Sequence, residues 1–166
     1  MVCHIREKFT INKNTLLRRY IKPEDVEKYV SGEYDAVRGC ISREGDCNDV
    51  GDFEDIFETF RLNYKGTPYH LTDKSYWKIE FKTTSGNLEK INLDNTYGKE
   101  FGGLNEDINP CTRNGFTGAK NGKVIPEWNL KEGIGYDKAL ITKIENGKIV
   151  KQYKYIKNEK IWRKIK

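Results

Sequence analysis

Two charged residues stand in stretches that are otherwise small or apolar. Arg38 lies in Val37-Arg38-Gly39-Cys40-Ile41, and Glu127 lies in Val124-Ile125-Pro126-Glu127-Trp128. A charge drawn into a low-dielectric interior is costly unless a counter-charge and hydrogen bonds meet it. Arg38 therefore asks for an anion, either a carboxylate of this chain or a ligand phosphate held in the guanidinium fork. Glu127 asks for a donor or for positive charge that develops beside it. The plainest alternative is that the two pair with each other or with solvent. Between them runs the stretch 97–122, which has no hydrophobic period and contains Gly98, Gly102, Gly103, Gly115, Gly118 and Gly122, with Pro110 among them. Structureless loops longer than about 12–15 residues are uncommon in compact domains unless they are functional or disordered. The end of this one, Asn114-Gly-Phe116-Thr117-Gly118, is the third candidate.

Other chemistries find less support. Only two histidines occur, His4 and His70, and neither stands in a metal-ligand spacing. His70 is nonetheless one of few groups able to act as a base near neutral pH. Asp46-Cys-Asn48-Asp-Val50-Gly51 begins like a calcium loop, but Val50 and Phe57 occupy its fifth and twelfth positions, where oxygen ligands belong. No Gly-x-Ser-x-Gly and no P-loop is present, which removes the usual sequence support for acyl transfer and Walker-type chemistry. Cys3, Cys40, Cys47 and Cys111 form no CxxC pair, so neither a zinc site nor a disulfide framework is indicated and four free thiols are expected.

Positioning falls to a modest set of elements. Leu16, Leu17, Tyr20 and Ile21 share a helical face, which predicts a helix over 14–21. Pro23 to Gly32 has proline at the first helical position, acids in the first turn and glycine after the end, which predicts a second helix. Ala36 to Ser42 reads as a buried strand, 52–62 as a third helix with apolar residues at 53, 56, 57 and 60, and the strictly alternating 76–82 as a strand buried on one face. Asn146-Gly147 between apolar runs is a hairpin signal, because its turn needs positive φ at both central residues. A turn at Asn158-Glu159 then leads into a last strand, Ile161–Ile165. The expected fold is α+β: N-terminal helices packed on a small, mainly antiparallel sheet ending in a β-meander. One domain, 1–166, is enough for 166 residues with 36% hydrophobic content and 20 aromatic side chains. It divides into a helical lead-in, 1–34, and a core, 35–166.

Arg38-Gly39 in an early strand, Phe116-Thr117-Gly118 after a loop, and Glu127 in an apolar strand followed by Leu130-Lys-Glu-Gly133 resemble ADP-ribosyltransferase-like domains of bacterial polymorphic toxins and of the ends of some phage head proteins. The likeness runs roughly from Val37 to Ile144. It implies NAD as substrate, with Arg38 and Gly39 at its phosphates and ribose, and Asn114 and Thr117 bonded to the nicotinamide ribose or amide. Phe116, Tyr97 or Trp128 would stack on the ring, and Glu127 would be the catalytic carboxylate. The implied activity is that of a toxin-like enzyme cleaving the nicotinamide–ribose bond, by ADP-ribose transfer to a macromolecule or by hydrolysis, with an immunity or antitoxin partner. The family's Ser-Thr-Ser motif is represented only by Thr117, and its paired Glu/Gln only by Glu127, which leaves the acceptor open. Residue chemistry agrees, since breaking this bond builds positive charge on the sugar and a carboxylate against the ribose lowers the barrier.

Two rivals stand beside it. A metal-independent ribonuclease toxin would use His70, Arg38 and the basic terminus, where residues 148–166 hold seven Lys and Arg163 against the single acid Glu159, a net +7 within a chain of +5. A non-enzymatic phage or immunity module would only dock a partner through the glycine-rich loop. Lysines spaced through terminal strands also serve to keep a sheet edge soluble. No stretch approaches the roughly 18 apolar residues of a membrane span, and the N-terminus lacks a signal-peptide core. The expected location is the cytoplasm, or a target cell's cytoplasm after delivery as part of a larger protein.

Overall fold

The alternation of residues 76–82 becomes strand β3 (Ser75–Lys82), whose Ile79 and Phe81 are wholly buried on one face while Lys78 and Glu80 lie on the other. The computed structural model describes residues 9–93, 116–117, 119 and 121–166. Its strands are β1 (Leu17–Ile21), β2 (Val37–Arg43), β3, β4 (Glu127–Ile134), β5 (Lys138–Glu145), β6 (Lys148–Ile156) and β7 (Ile161–Lys164). They form one antiparallel sheet in the order β4-β2-β1-β3-β5-β6-β7. Helices α1 (Pro23–Val30), α2 (Phe53–Thr59) and α3 (Leu88–Leu93) complete an α+β fold. Among the described residues no helix is long and apolar enough to cross a membrane.

The helix expected over 14–21 is instead strand β1, in the interior of the sheet. Leu17 and Ile21 are buried four residues apart, a spacing that a helix face and a strand face both satisfy. Tertiary pairing decides between them, because β1 bonds along its whole length to β3 and at its start to β2. Lys22 precedes Pro23, and a residue before proline is pushed out of the helical region; Lys22 has φ −74° and ψ 152°. Any helix over 14–21 had to stop there. α1 then forms as its sequence predicts, with Pro23 at its start, Glu24 and Asp25 in its first turn, and Val26 and Tyr29 buried.

The main core lies on one face of the sheet, where Leu17, Ile21, Ile41, Ile79, Phe81, Trp128 and Ile141 pack with Val26 and Tyr29 of α1. A smaller cluster covers part of the other face: Phe53, Ile56 and Leu62 pack with Tyr20, Phe60 and Tyr76. It exists because α2 carries its apolar residues at the expected 3–4 spacing and starts cleanly, with the Asp52 carboxylate accepting from the Asp55 N–H at 3.0 Å. At the far end, β5, β6 and β7 form the expected meander, with Asn146 (φ 49°) and Gly147 (φ 75°) in the hairpin turn. Cys47 is a free, buried thiol as expected. Cys40, however, is disulfide-bonded, which corrects the expectation of four free thiols; scattered spacing alone does not reveal which cysteines the fold brings together.

Candidate functional site

One row of residues crosses four neighbouring strands on the face that carries the smaller cluster. Glu127 on β4 lies opposite Ser42 on β2, Ser42 opposite Arg18 on β1, and Arg18 opposite Glu80 on β3. Antiparallel pairing sets such partners side by side on one face. The Arg18 guanidinium is committed: it binds Glu80 at 2.9 Å and Glu44 at 3.4 Å, and Lys78 reaches Glu80 at 3.1 Å. Burial pushes the Glu80 carboxyl up, but Arg18 and Lys78 outweigh it and hold it below its ordinary value. Glu127 itself is 5% exposed.

β1 and β2 pair at only two positions, Leu17 with Arg43 and Arg18 with Ser42, and then part. Arg19 fills the notch between them. Its Nη1 donates to the Cys40 carbonyl at 2.8 Å, and its guanidinium lies against Gly39, where an added Cβ would stand 2.8–2.9 Å from Nη1, Cζ and Nη2. Gly39 also has φ +88°, so glycine is required there by backbone conformation and by space together. Among the described residues Arg19 makes no ion pair. That distinguishes it from Arg18, whose guanidinium is committed to Glu80 and Glu44.

A cavity of about 230 Å³ opens at this notch, with Arg19, Tyr20, Ser42, Phe60, Tyr69 and Glu127 in its walls. Burial pushes the phenols of Tyr20 and Tyr69 well up, so both remain neutral hydroxyls at ordinary pH. A second cavity, of about 410 Å³, shares Arg19 and Asp25 with the first and adds Tyr29, Glu33, Asp35 and Arg38. Burial likewise pushes Tyr29 up, to about 12. The two cavities thus meet at Arg19.

The approach to Glu127 is fastened to the rest of the chain. Phe116 bridges to Pro126, the Thr117 N–H donates to the Ile125 carbonyl at 2.8 Å, and the Ile125 N–H donates to Thr117 Oγ1 at 3.0 Å. Lys123 binds the Asp55 carboxylate of α2 at 2.6 Å and the Asp49 carbonyl at 2.8 Å, while Asn121 donates to Thr59 Oγ1 at 3.0 Å. The Lys123 hydrogen bond, helped by the Gly51 N–H, holds the Asp55 carboxyl below its ordinary value.

The residues singled out by sequence do not gather at one place. Glu127 and Gly39 both border the first cavity. Arg38 is exposed and borders the second, so the arginines that share the first cavity with Glu127 are Arg18 and Arg19, not Arg38. Thr117 is buried with its hydroxyl engaged to Ile125, and Phe116 packs edge-on to Phe9 at 5.8 Å. Trp128, being next to Glu127 in a strand, faces the opposite side and sits in the main core. Asn114 and Tyr97 lie outside the described residues. His70 is an exposed loop residue, its N–H donating to Asp73 at 2.9 Å and its ring 3.9 Å from the same carboxylate. Among the described residues no group of three or more His, Cys, Asp or Glu is placed to hold a metal ion.

Sequence reasoning does not single out Arg18, Arg19, Ser42 or Tyr69. A signal for two of them is present in the Arg18-Arg19 doublet, since consecutive residues of a strand point to opposite faces and only a strand would send one arginine to each. Comparison of the chain with family models, with curated proteins and with solved structures finds no match.

Proposed function

We propose that the notch between β1 and β2 is the active site of an enzyme that cleaves the nicotinamide–ribose bond of NAD. One observation carries this reading: a buried carboxylate, Glu127, borders the same cavity as Arg19, a guanidinium that makes no ion pair among the described residues. Drug-sized ligands need roughly 300–1,000 Å³, so a cavity of about 230 Å³ suits the nicotinamide riboside half, with the remainder extending past Arg19 toward the second cavity. Arg19 takes the role that the sequence resemblance gives to Arg38, holding the pyrophosphate.

As the glycosidic bond breaks, its electron pair leaves with the nicotinamide nitrogen and positive charge develops at the ribose C1′ and ring oxygen. Glu127 faces that charge and stabilises it in the transition state more than in the bound substrate. The Ser42 hydroxyl, cross-strand from both Glu127 and Arg18, bonds a ribose hydroxyl. Tyr20, Phe60 and Tyr69 supply flat walls for the nicotinamide ring. Water attacking C1′ completes hydrolysis; a nucleophile of a macromolecule would complete ADP-ribose transfer.

The test is release of nicotinamide from NAD by wild type, Glu127→Gln, Arg19→Ala and Arg38→Ala. Glu127→Gln is expected to lower kcat by about 10²–10³ with little change in binding. Arg19→Ala should weaken binding more than Arg38→Ala does. Absence of nicotinamide release by wild type, or an undiminished rate in Glu127→Gln, overturns the proposal.

A further inference from the structure

Away from the notch, the core-side face of the sheet carries a set of aromatic and basic residues on β3, β5 and β6. Trp77 and Tyr153 lie nearly parallel, their ring centroids 6.3 Å apart and their planes 22° from one another. Lys143 is the cross-strand partner of both Trp77 and Lys151. Its ammonium stands 6.0 Å from the Trp77 centroid, and that of Lys151 stands 5.4 Å from the Tyr153 centroid. Lys164, exposed on β7, is the partner of Tyr153.

Solubility of the β7 edge accounts for some of the terminal basic residues. Lys157 pairs with Asp137 at 2.6 Å, and Arg163 grips Glu159 with two bonds of 2.8 Å, so those charges are balanced within the chain. Lys143, Lys151 and Lys164 make no ion pair among the described residues. Edge protection also gives no reason for two half-buried rings held parallel beneath two ammonium groups.

We propose that this face binds single-stranded nucleic acid, with bases stacking against the Trp77–Tyr153 pair and phosphates meeting Lys143, Lys151 and Lys164. Flat rings between cations match a polymer that alternates flat bases with anionic phosphates, and every base has a face to stack. An acidic protein would use the lysines but gain little from the rings. A duplex keeps its bases stacked on each other and so out of reach.

The experiment is fluorescence anisotropy with a labelled single strand of about 12 nucleotides, followed in parallel by intrinsic tryptophan emission. Trp128 and Trp162 are buried in the core, so quenching by the oligonucleotide reports on Trp77. Tyr153→Ala is expected to weaken binding by about 5- to 150-fold, the loss of one stacked base. Because that substitution also touches the core, Lys143→Gln/Lys151→Gln serves as the second variant. It should lower the slope of log affinity against log salt by about 1.4, that is about 0.7 for each phosphate contact on a single strand. Failure of wild type to bind, equal or tighter binding of a duplex of the same length, preference for poly-glutamate, or unchanged affinity in both variants overturns the proposal. No NAD enters the measurement, so its outcome is separate from that of the cleavage assay.

Discussion

Replacing Gly39 by alanine tests how the notch is built. Alanine at φ +88° sits in the left-handed region, which costs roughly 1–2 kcal/mol for a residue with a Cβ. The new methyl would stand 2.8 Å from Arg19 Nη1, closer than real contacts come, and the nearest atoms belong to the end of a long side chain that can swing away. Swinging away breaks the bond to the Cys40 carbonyl, and a hydrogen bond from a charged donor contributes about 1.5–3 kcal/mol. The expected loss is therefore about 2.5–5 kcal/mol in urea unfolding, or about 5–20 °C in Tm for a chain of this size. A double-mutant cycle separates the two parts. In an Arg19→Ala background the steric part vanishes and only the backbone cost remains, so the cycle should show a coupling of about 1.5–3 kcal/mol between the sites. Additivity within about 0.5 kcal/mol would refute the reasoning, because Gly39 would then answer to its φ alone and not to the guanidinium packed on it.

Three further outcomes are expected. Thr117→Val should destabilise the fold by about 1–3 kcal/mol, since it leaves the buried Ile125 N–H without its acceptor, and should lower NAD turnover by loosening the approach to Glu127; unchanged stability in denaturant melts would count against that role. Glu80 is held below its ordinary value, so its contribution is complete above the unfolded-state pKa and is lost as pH falls through the lower folded value. Glu80→Gln should thus be less stable than wild type by about 3 kcal/mol at neutral pH, with the gap narrowing as the pH falls below the ordinary carboxylate range; a gap that stays constant across acid melts would show that the carboxylate charge does not matter. Non-reducing peptide mapping should recover Cys40 in a disulfide, while Cys47, a thiol raised by burial, should react with thiol reagents only on unfolding; fast labelling of both in the native protein would contradict the fold around β2.

Where short-range physics is decisive, the amino-acid order is enough. α1 is written in Pro23, Glu24 and Asp25, the β5–β6 hairpin in Asn146-Gly147, and β3 in an alternation that no helix can satisfy. Glu127 is visible as a carboxylate among apolar neighbours, and its burial follows from the same pattern. β1 is not legible in this way, because Leu17 and Ile21 at four-residue spacing fit both periods. The choice comes from pairing with β2 and β3, strands that begin only at Val37 and Ser75, far along the chain from the segment they fix. That same ambiguity hides the arginine of the proposed site. Read as a helix, Arg18 and Arg19 fall on a solvated face; read as a strand between β2 and β3, they point to opposite sides, one tied to Glu80 and the other lying across Gly39 beside the cavity that Glu127 borders. Residue types are local information, but the meeting of Arg19, Gly39 and Glu127 depends on strand order and register, which are set by the summed burial and pairing of segments far apart in the chain.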